Sequence, residues 1–151
     1  MPDPLLLRDT DAQVCVLYFS EAFKGTSTDG AGFEAREVLH NGDPPQTADD
    51  CVTPRGDTYG ENFLISAEHP VEVIGGVSFI HGINSSSAGG SSRRTDLYRA
   101  FHESGCFELS ISFSGTNPDM SDPPMKTLTP AEQKKIDQTM SDILHSVRFT
   151  K

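Results

Sequence analysis

The clearest alternation of apolar and polar positions lies in residues 98–113, YRAFHESGCFELSISF. From Phe107 to Phe113 every second residue is large and apolar, which is typical of a strand with one face on a core. Residues 95–102 show the pattern of a partner strand, and the three residues ESG separate the two. The pattern predicts a hairpin with Gly105 in its loop. It also predicts that Arg99 and Glu108 form a cross-strand pair on the open face.

Weaker patterns predict the elements that precede this hairpin. The apolar run 13–19 and the segment 63–68 are interpreted as strands. Residues 69–83 alternate around Gly75-Gly76, which is interpreted as a bulge or kink. Residues 31–40, AGFEAREVLH, are predicted to form a short helix that Thr28 or Asp29 caps and Asn41-Gly42 ends.

The end of the chain carries a strong helix signal. Thr129 is a good N-cap, Pro130 suits the first helical position, and Glu132 completes a capping box. Apolar residues then recur at helical spacing: Ile136, Met140, Ile143, Leu144 and Val147. We therefore predict a single α+β domain, a mostly antiparallel sheet with a C-terminal amphipathic helix packed on one face.

Two segments have the composition of surface connections. Residues 41–61 contain three prolines, three glycines and five acidic residues, which predicts a long acidic loop that binds something or is mobile. Residues 84–94, NSSSAGGSSRR, are predicted to be a Ser/Gly-rich flexible connector. Contacts with a ligand or partner are expected to run through these two segments.

The charge balance limits the classes of partner. The 151 residues include 12 basic and 22 acidic ones, for a net charge of -10. Such a surface repels phosphate backbones, so nucleic-acid binding is not expected. No apolar run approaches the roughly 20 residues of a membrane span. The N-terminal residues lack the pattern of a signal peptide, so the chain is either cytoplasmic or, after removal of a leader, periplasmic or secreted.

Three cysteines, Cys15, Cys51 and Cys106, show no metal-type spacing. The favoured interpretation is that Cys15 and Cys106 are buried small hydrophobic residues. A disulfide between Cys51 and Cys106, or between Cys15 and Cys51, is the alternative.

Four residues are the candidates for a reactive site. His81 and His102 are possible cross-strand neighbours that Glu108 approaches. Cys106 and His102 lie across a three-residue loop, so contact between a cysteine nucleophile and a histidine base is feasible. However, a cysteine at a strand end lacks the cationic surroundings that favour a thiolate. The five histidines also lack the short spacings of metal sites. No catalytic, cofactor-binding or metal-binding residue is therefore assigned.

A set of motifs over roughly residues 63–150 resembles a known group. It comprises Gly75, Gly76 and Phe79, then Tyr98, Arg99, Phe101, His102, Cys106, Phe107, Glu108 and Leu109, and finally Ile143, Leu144, Ser146 and Phe149. The order of these motifs resembles that of uncharacterised exported bacterial proteins, and the last segment is similar to the PsbP-like α/β sandwich. The resemblance implies a noncatalytic sheet-and-helix domain, often extracytoplasmic, with no transferable active site.

The leading hypothesis is a noncatalytic binding or accessory domain without a cofactor, whose partner is an unknown protein or small ligand. One alternative is a small enzyme or metal-binding protein with a site near His81, His102, Cys106 and Glu108. The other is an immunity-type protein whose acidic face binds a basic partner.

Overall fold

The computed structural model describes residues 6–8, 13–18, 28–39, 43, 45–52, 64–117, 119 and 126–150. Nine strands and two helices lie within these ranges. They are β1 (Leu6–Arg8), β2 (Gln13–Tyr18), β3 (Thr28–Glu37), α1 (Ala48–Val52), β4 (Leu64–Ile65), β5 (Val71–Ile74), β6 (Val77–Ala88), β7 (Ser91–His102), β8 (Gly105–Thr116), α2 (Pro130–His145) and β9 (Arg148–Thr150).

One antiparallel sheet contains seven of the nine strands. Its order is β2-β3-β8-β7-β6, and both β4 and β5 pair with the outer side of β6. The remaining strands, β1 and β9, form a separate parallel pair. The predicted α+β arrangement, a mostly antiparallel sheet with a C-terminal helix, is confirmed. The strand predicted at the start of the chain is present as β2, and the one predicted at 63–68 is reduced to the two residues of β4.

The predicted β7–β8 hairpin is present, but its turn is tighter than expected. Gly105 is the first residue of β8 and pairs with His102, so it does not lie in the loop. The turn consists of Glu103 and Ser104 alone, with φ angles of 51° and 85°. Two successive positive φ angles match the right-handed twist of the flanking strands, as in type I′ turns.

Two more hairpins with two-residue turns lie where a bulge or kink and a flexible connector were predicted. Gly75 and Gly76, interpreted as a bulge or kink, are the two turn residues between β5 and β6, with φ angles of 59° and 81°. The prediction of a flexible connector at 84–94 is wrong, because most of these residues belong to strands: β6 runs to Ala88 and β7 begins at Ser91. Only Gly89-Gly90 turns the chain there. A Gly-Gly pair is itself a hairpin signal, since glycine adopts positive φ without strain.

The predicted helix at 31–40 is wrong, because residues 31–37 belong to β3. Ala31, Phe33 and Ala35 are buried, while the residues between them are only partly covered. This two-residue period fits a strand, and β3 is paired on both sides, with β2 and with β8. Pairing in the middle of a sheet outweighs the weak helix propensity of a short segment.

Helix α2 begins and packs as predicted. Thr129 caps it, and the Thr129 and Glu132 side chains complete the reciprocal capping box, whose hydrogen bonds lower the pKa of Glu132. Met140, Ile143 and Leu144 are buried against one face of the sheet. Together with Phe33, Phe79, Phe107 and Leu109 they form the main core of the protein.

The opposite face of the sheet carries a second, smaller core beneath α1. Val38, Cys51 and Cys106 are buried there, with Val52 and Phe101 packed against them. Helix α1 lies inside the segment predicted to be a long acidic loop, 41–61. Most of the remainder of that segment lies outside the described residues, and so does most of the connection that follows β8.

Candidate functional site

The four residues proposed as a reactive site lie on two different faces of the sheet. Successive side chains of a strand point to opposite faces. Glu108 and Cys106 lie on the face that α1 covers, because their neighbours at Phe107 and Leu109 belong to the core beneath α2. His81 stacks on Tyr98 of that same α2-facing core, and His102 packs on Phe149 beside it. The four side chains therefore do not converge.

Cys106 is bonded to Cys51, which joins β8 to α1. A half-cystine has no thiol, so Cys106 is not a nucleophile in this structure. The interpretation of Cys106 as a free hydrophobic residue is also wrong, although the side chain is fully buried. Of the two alternative disulfides, the structure contains the one between Cys51 and Cys106. Cys15 lies in β2, where only the backbone is described, so the prediction for its side chain falls outside the described part.

Glu108 is the centre of a buried charge cluster. Its Oε2 accepts a hydrogen bond of 2.7 Å from Arg99 Nε, and its Oε1 accepts one of 2.9 Å from Arg36 Nε. The predicted cross-strand pair of Arg99 and Glu108 is confirmed, but it lies under α1 and not on an open face, since both residues are buried. Arg99 also donates to the backbone oxygen of Cys51 at 3.4 Å. The cluster thus attaches α1 to the sheet.

His81 lies opposite Tyr98 across the β6–β7 pair, and not opposite His102 as was suggested. The two rings are stacked, with centroids 4.5 Å apart and planes within 5° of parallel. His81 Nδ1 is 2.9 Å from the backbone oxygen of His69, and Nε2 is 2.9 Å from Asp96 Oδ1. The His81 ring therefore bridges the backbone that precedes β5 and the side chain of Asp96 on β7.

His102 is half-exposed at the end of β7. Its ring lies 5.0 Å from the ring of Phe149 on β9, and its Nε2 is 4.0 Å from Glu103. The ring contact packs β9 against the end of β7. Among the described residues, no group of three or more His, Cys, Asp or Glu side chains has the geometry to hold a metal ion.

A cavity of about 280 Å³ opens beside His81, between α2 and the sheet. Tyr98 lines it and is 8% exposed. Burial raises the pKa of Tyr98, the charges of Asp96 and Glu72 raise it further, and Arg94 opposes them. At the rim, His145 Nε2 of α2 lies 2.9 Å from Glu72 Oε1 of β5. This cluster was not predicted, because residues 84–94 were interpreted as a connector, and the β6–β7 register that brings Asp96 and Tyr98 next to β6 depends on the hairpin that they form.

A second cavity of about 510 Å³ adjoins the first at the end of the β6–β7 hairpin. Serine hydroxyls line much of it: Ser85, Ser86, Ser87, Ser92 and Ser114. Arg94, Phe113 and Asp137 line both cavities and so stand at their boundary. The two cavities therefore lie side by side along α2.

Comparisons with protein-family models, with curated proteins and with solved structures give no match for this chain. None of the described helices combines the length and the apolar character that crossing a membrane requires.

Proposed function

We propose that this chain is a noncatalytic binding or accessory domain, of the PsbP-like sandwich type, that works outside the cytoplasm of a bacterium. One observation carries the proposal: each of the four chemically reactive side chains is committed to a structural contact. Cys106 is in a disulfide, Glu108 binds two arginines, His81 bridges Asp96 and a backbone oxygen, and His102 packs on an aromatic ring. Catalysis requires such groups to converge on one reacting atom.

The disulfide supports a location outside the cytoplasm. Disulfides persist in oxidising compartments and are rare where thioredoxin and glutathione keep thiols reduced. Cys51 and Cys106 are both fully buried and 55 residues apart in sequence, so their bond closes a long loop of the chain. Such a bond is a structural element of the fold and not an exposed redox couple.

The end of the chain supports the PsbP-like assignment. Helix α2 lies on the sheet and leads, within three residues, into the short strand β9. Phe149 of β9 then contacts Phe79 and Phe107 of the main core. A terminal helix followed by a short last strand is the feature on which the sequence resemblance rests.

A native mass spectrum of the protein purified from its own host tests the binding role. We expect a retained small molecule or protein partner that separates on denaturation. The denatured, unreduced chain should be about 2 Da lighter than the reduced chain, the mass of the two hydrogens lost when a disulfide forms. A retained molecule should keep its mass when it is incubated with fresh protein.

Each part of the proposal has its own contrary result. Conversion of the retained molecule into a product contradicts a noncatalytic role. A bare monomer, from extracts in which nothing comigrates with the protein, contradicts a binding role. Three reactive thiols on the freshly isolated chain contradict an extracytoplasmic location.

A further inference from the structure

The cavity beneath α2 combines an apolar wall with an acidic rim. Apolar and aromatic side chains form its wall: Ile111, Phe113, Met140 and Leu144. Three carboxylates also line it, those of Glu72, Asp96 and Asp137. Its volume of about 280 Å³ is just below the usual range of ligand pockets, roughly 300–1,000 Å³, so any ligand must be small.

The Tyr98 hydroxyl is the most direct sign of a ligand in this cavity. Tyr98 is buried and its ring is stacked on His81, yet within the described part of the chain its hydroxyl makes no hydrogen bond. Buried hydroxyls normally have a hydrogen-bond partner, since a buried polar group without a hydrogen bond is unfavourable. The raised pKa keeps this hydroxyl protonated, so it can both donate and accept.

The charges that line the cavity favour a cation. Three carboxylates and one guanidinium, that of Arg94, line it. His81 and His145 each contact one oxygen of a carboxylate, Asp96 Oδ1 and Glu72 Oε1, which leaves the second oxygen of each for another donor. Arg94 Nε is 3.5 Å from Asp96 Oδ2, and the Arg94 side chain is 61% exposed. A pair at this distance in which the cation is exposed is weak. Arg94 also lines the adjoining serine-rich cavity. Its guanidinium can therefore turn into that cavity when another cation pairs with Asp96.

We propose that the cavity beneath α2 binds a small primary amine carried on an apolar chain. The ammonium pairs with Asp96 and Glu72 and donates a hydrogen bond to the Tyr98 hydroxyl. The apolar chain lies against Phe113, Met140 and Leu144. This inference rests on the proposed binding function and names the chemical class of its ligand.

The test uses three probes with the same apolar chain: hexylamine, hexanol and hexanoate. Each is titrated into the ¹⁵N-labelled protein, and amide shifts are followed by NMR. Hexylamine should cause saturable shifts at Tyr98, Phe113 and Leu144. Hexanol should bind at least about tenfold more weakly, because charge-assisted hydrogen bonds are the stronger ones, and hexanoate should cause no saturable shift.

Two pairs of matched variants locate the site. Arg94→Gln removes the competing cation and should lower the Kd for hexylamine about threefold, whereas Arg93→Gln, an equal change of charge next to it, should not. Asp137→Asn should raise the Kd about threefold. Asp142→Asn should leave it unchanged, although both aspartates accept a hydrogen bond of 2.8 Å from a glutamine one turn earlier in α2.

Tyr98→Phe gives the sharpest result, since it removes only the unpartnered hydroxyl. It should raise the Kd for hexylamine about tenfold while the spectrum of the free protein keeps its dispersion. Equal affinity for hexanol and hexylamine would show an apolar cavity without amine selectivity and overturn the proposal. Absence of saturable hexylamine shifts would overturn it as well. The binding function itself would still stand if the native mass spectrum showed a different retained ligand.

Discussion

Arg99 Nε donates a 2.7 Å hydrogen bond to Glu108 Oε2, directly across the β7–β8 hairpin and beneath α1. Arg36 donates to the other oxygen of the same carboxylate from β3. One acidic side chain therefore binds two guanidiniums and links three neighbouring strands. A buried ion pair adds little net stability, but loss of one partner leaves an uncompensated charge.

Replacement of Glu108 by glutamine should lower the free energy of unfolding by about 3–5 kcal/mol, because two buried or half-buried guanidiniums then lose the carboxylate that binds both. Urea denaturation followed by far-ultraviolet circular dichroism measures this loss. Glu68→Gln, the same change at an exposed position, should alter stability by no more than about 0.5 kcal/mol. A Glu108→Gln variant as stable as the Glu68→Gln variant would show that the cluster does not attach α1 to the sheet.

The Arg99–Glu108 pair illustrates what the sequence predicts well. Strict alternation over β8 and a short interruption at ESG were sufficient for the hairpin and for its cross-strand partners. Helix α2 was equally predictable, because Thr129, Pro130 and Glu132 are local signals and do not depend on distant residues. In each case the determinants lie within a few residues of the structure that they specify.

Arg36, the third member of the cluster, was missed for the opposite reason. Its segment, AGFEAREVLH, contains alanine, glutamate and arginine, which suit a helix, and only pairing with both β2 and β8 makes it a strand. The contact between His81 and Asp96 was missed because Gly89-Gly90 was interpreted as part of a linker. Once these two residues are treated as a hairpin turn, the register that places Tyr98 opposite His81 follows.

Loss of the Cys51–Cys106 bond should lower stability by about 4 kcal/mol, the chain-entropy estimate for a loop of this length. Thermal unfolding with and without dithiothreitol measures the effect. The doubly substituted Cys51→Ser, Cys106→Ser chain is the control, because reductant should not change its melting temperature further. If reductant leaves the unsubstituted protein equally stable, the bond is absent or contributes nothing.

Gly75 should tolerate substitution less well than Gly76, although both are turn residues with positive φ. A Cβ at Gly75 would lie 2.7 Å from the backbone oxygen of Val147, whereas one at Gly76 meets nothing within 4 Å. Gly76→Ala should therefore cost only the backbone strain, about 1–2 kcal/mol, and Gly75→Ala should cost more. Equal losses in urea denaturation would mean that the segment after α2 moves away readily from the β5–β6 turn.

Ser104 offers the reverse substitution. Its φ of 85° lies in a region that a residue with a side chain adopts only with strain. Ser104→Gly should raise the free energy of unfolding by about 1 kcal/mol, since glycine adopts this conformation freely. Ser92→Gly, within β7 where glycine brings no conformational advantage, is the control and should lower it. A destabilised Ser104→Gly variant would show that the turn is held by contacts of the serine side chain.

Tyr98 should make stability depend on alkaline pH. Burial, followed by the charges of Asp96 and Glu72, raises the pKa of Tyr98 in the folded protein above its unfolded value of about 10. The folded state therefore favours the neutral phenol. This contribution is fully present below pH 10 and is lost as the pH rises from there towards the folded pKa, because only the unfolded chain then releases the proton.

Urea denaturation at pH 8 and at pH 11 measures this effect. Between the two pH values, the free energy of unfolding should fall further for the unsubstituted protein than for Tyr98→Phe. Other groups titrate equally in both chains, so the difference isolates Tyr98, and identical losses would mean that its hydroxyl is open to solvent.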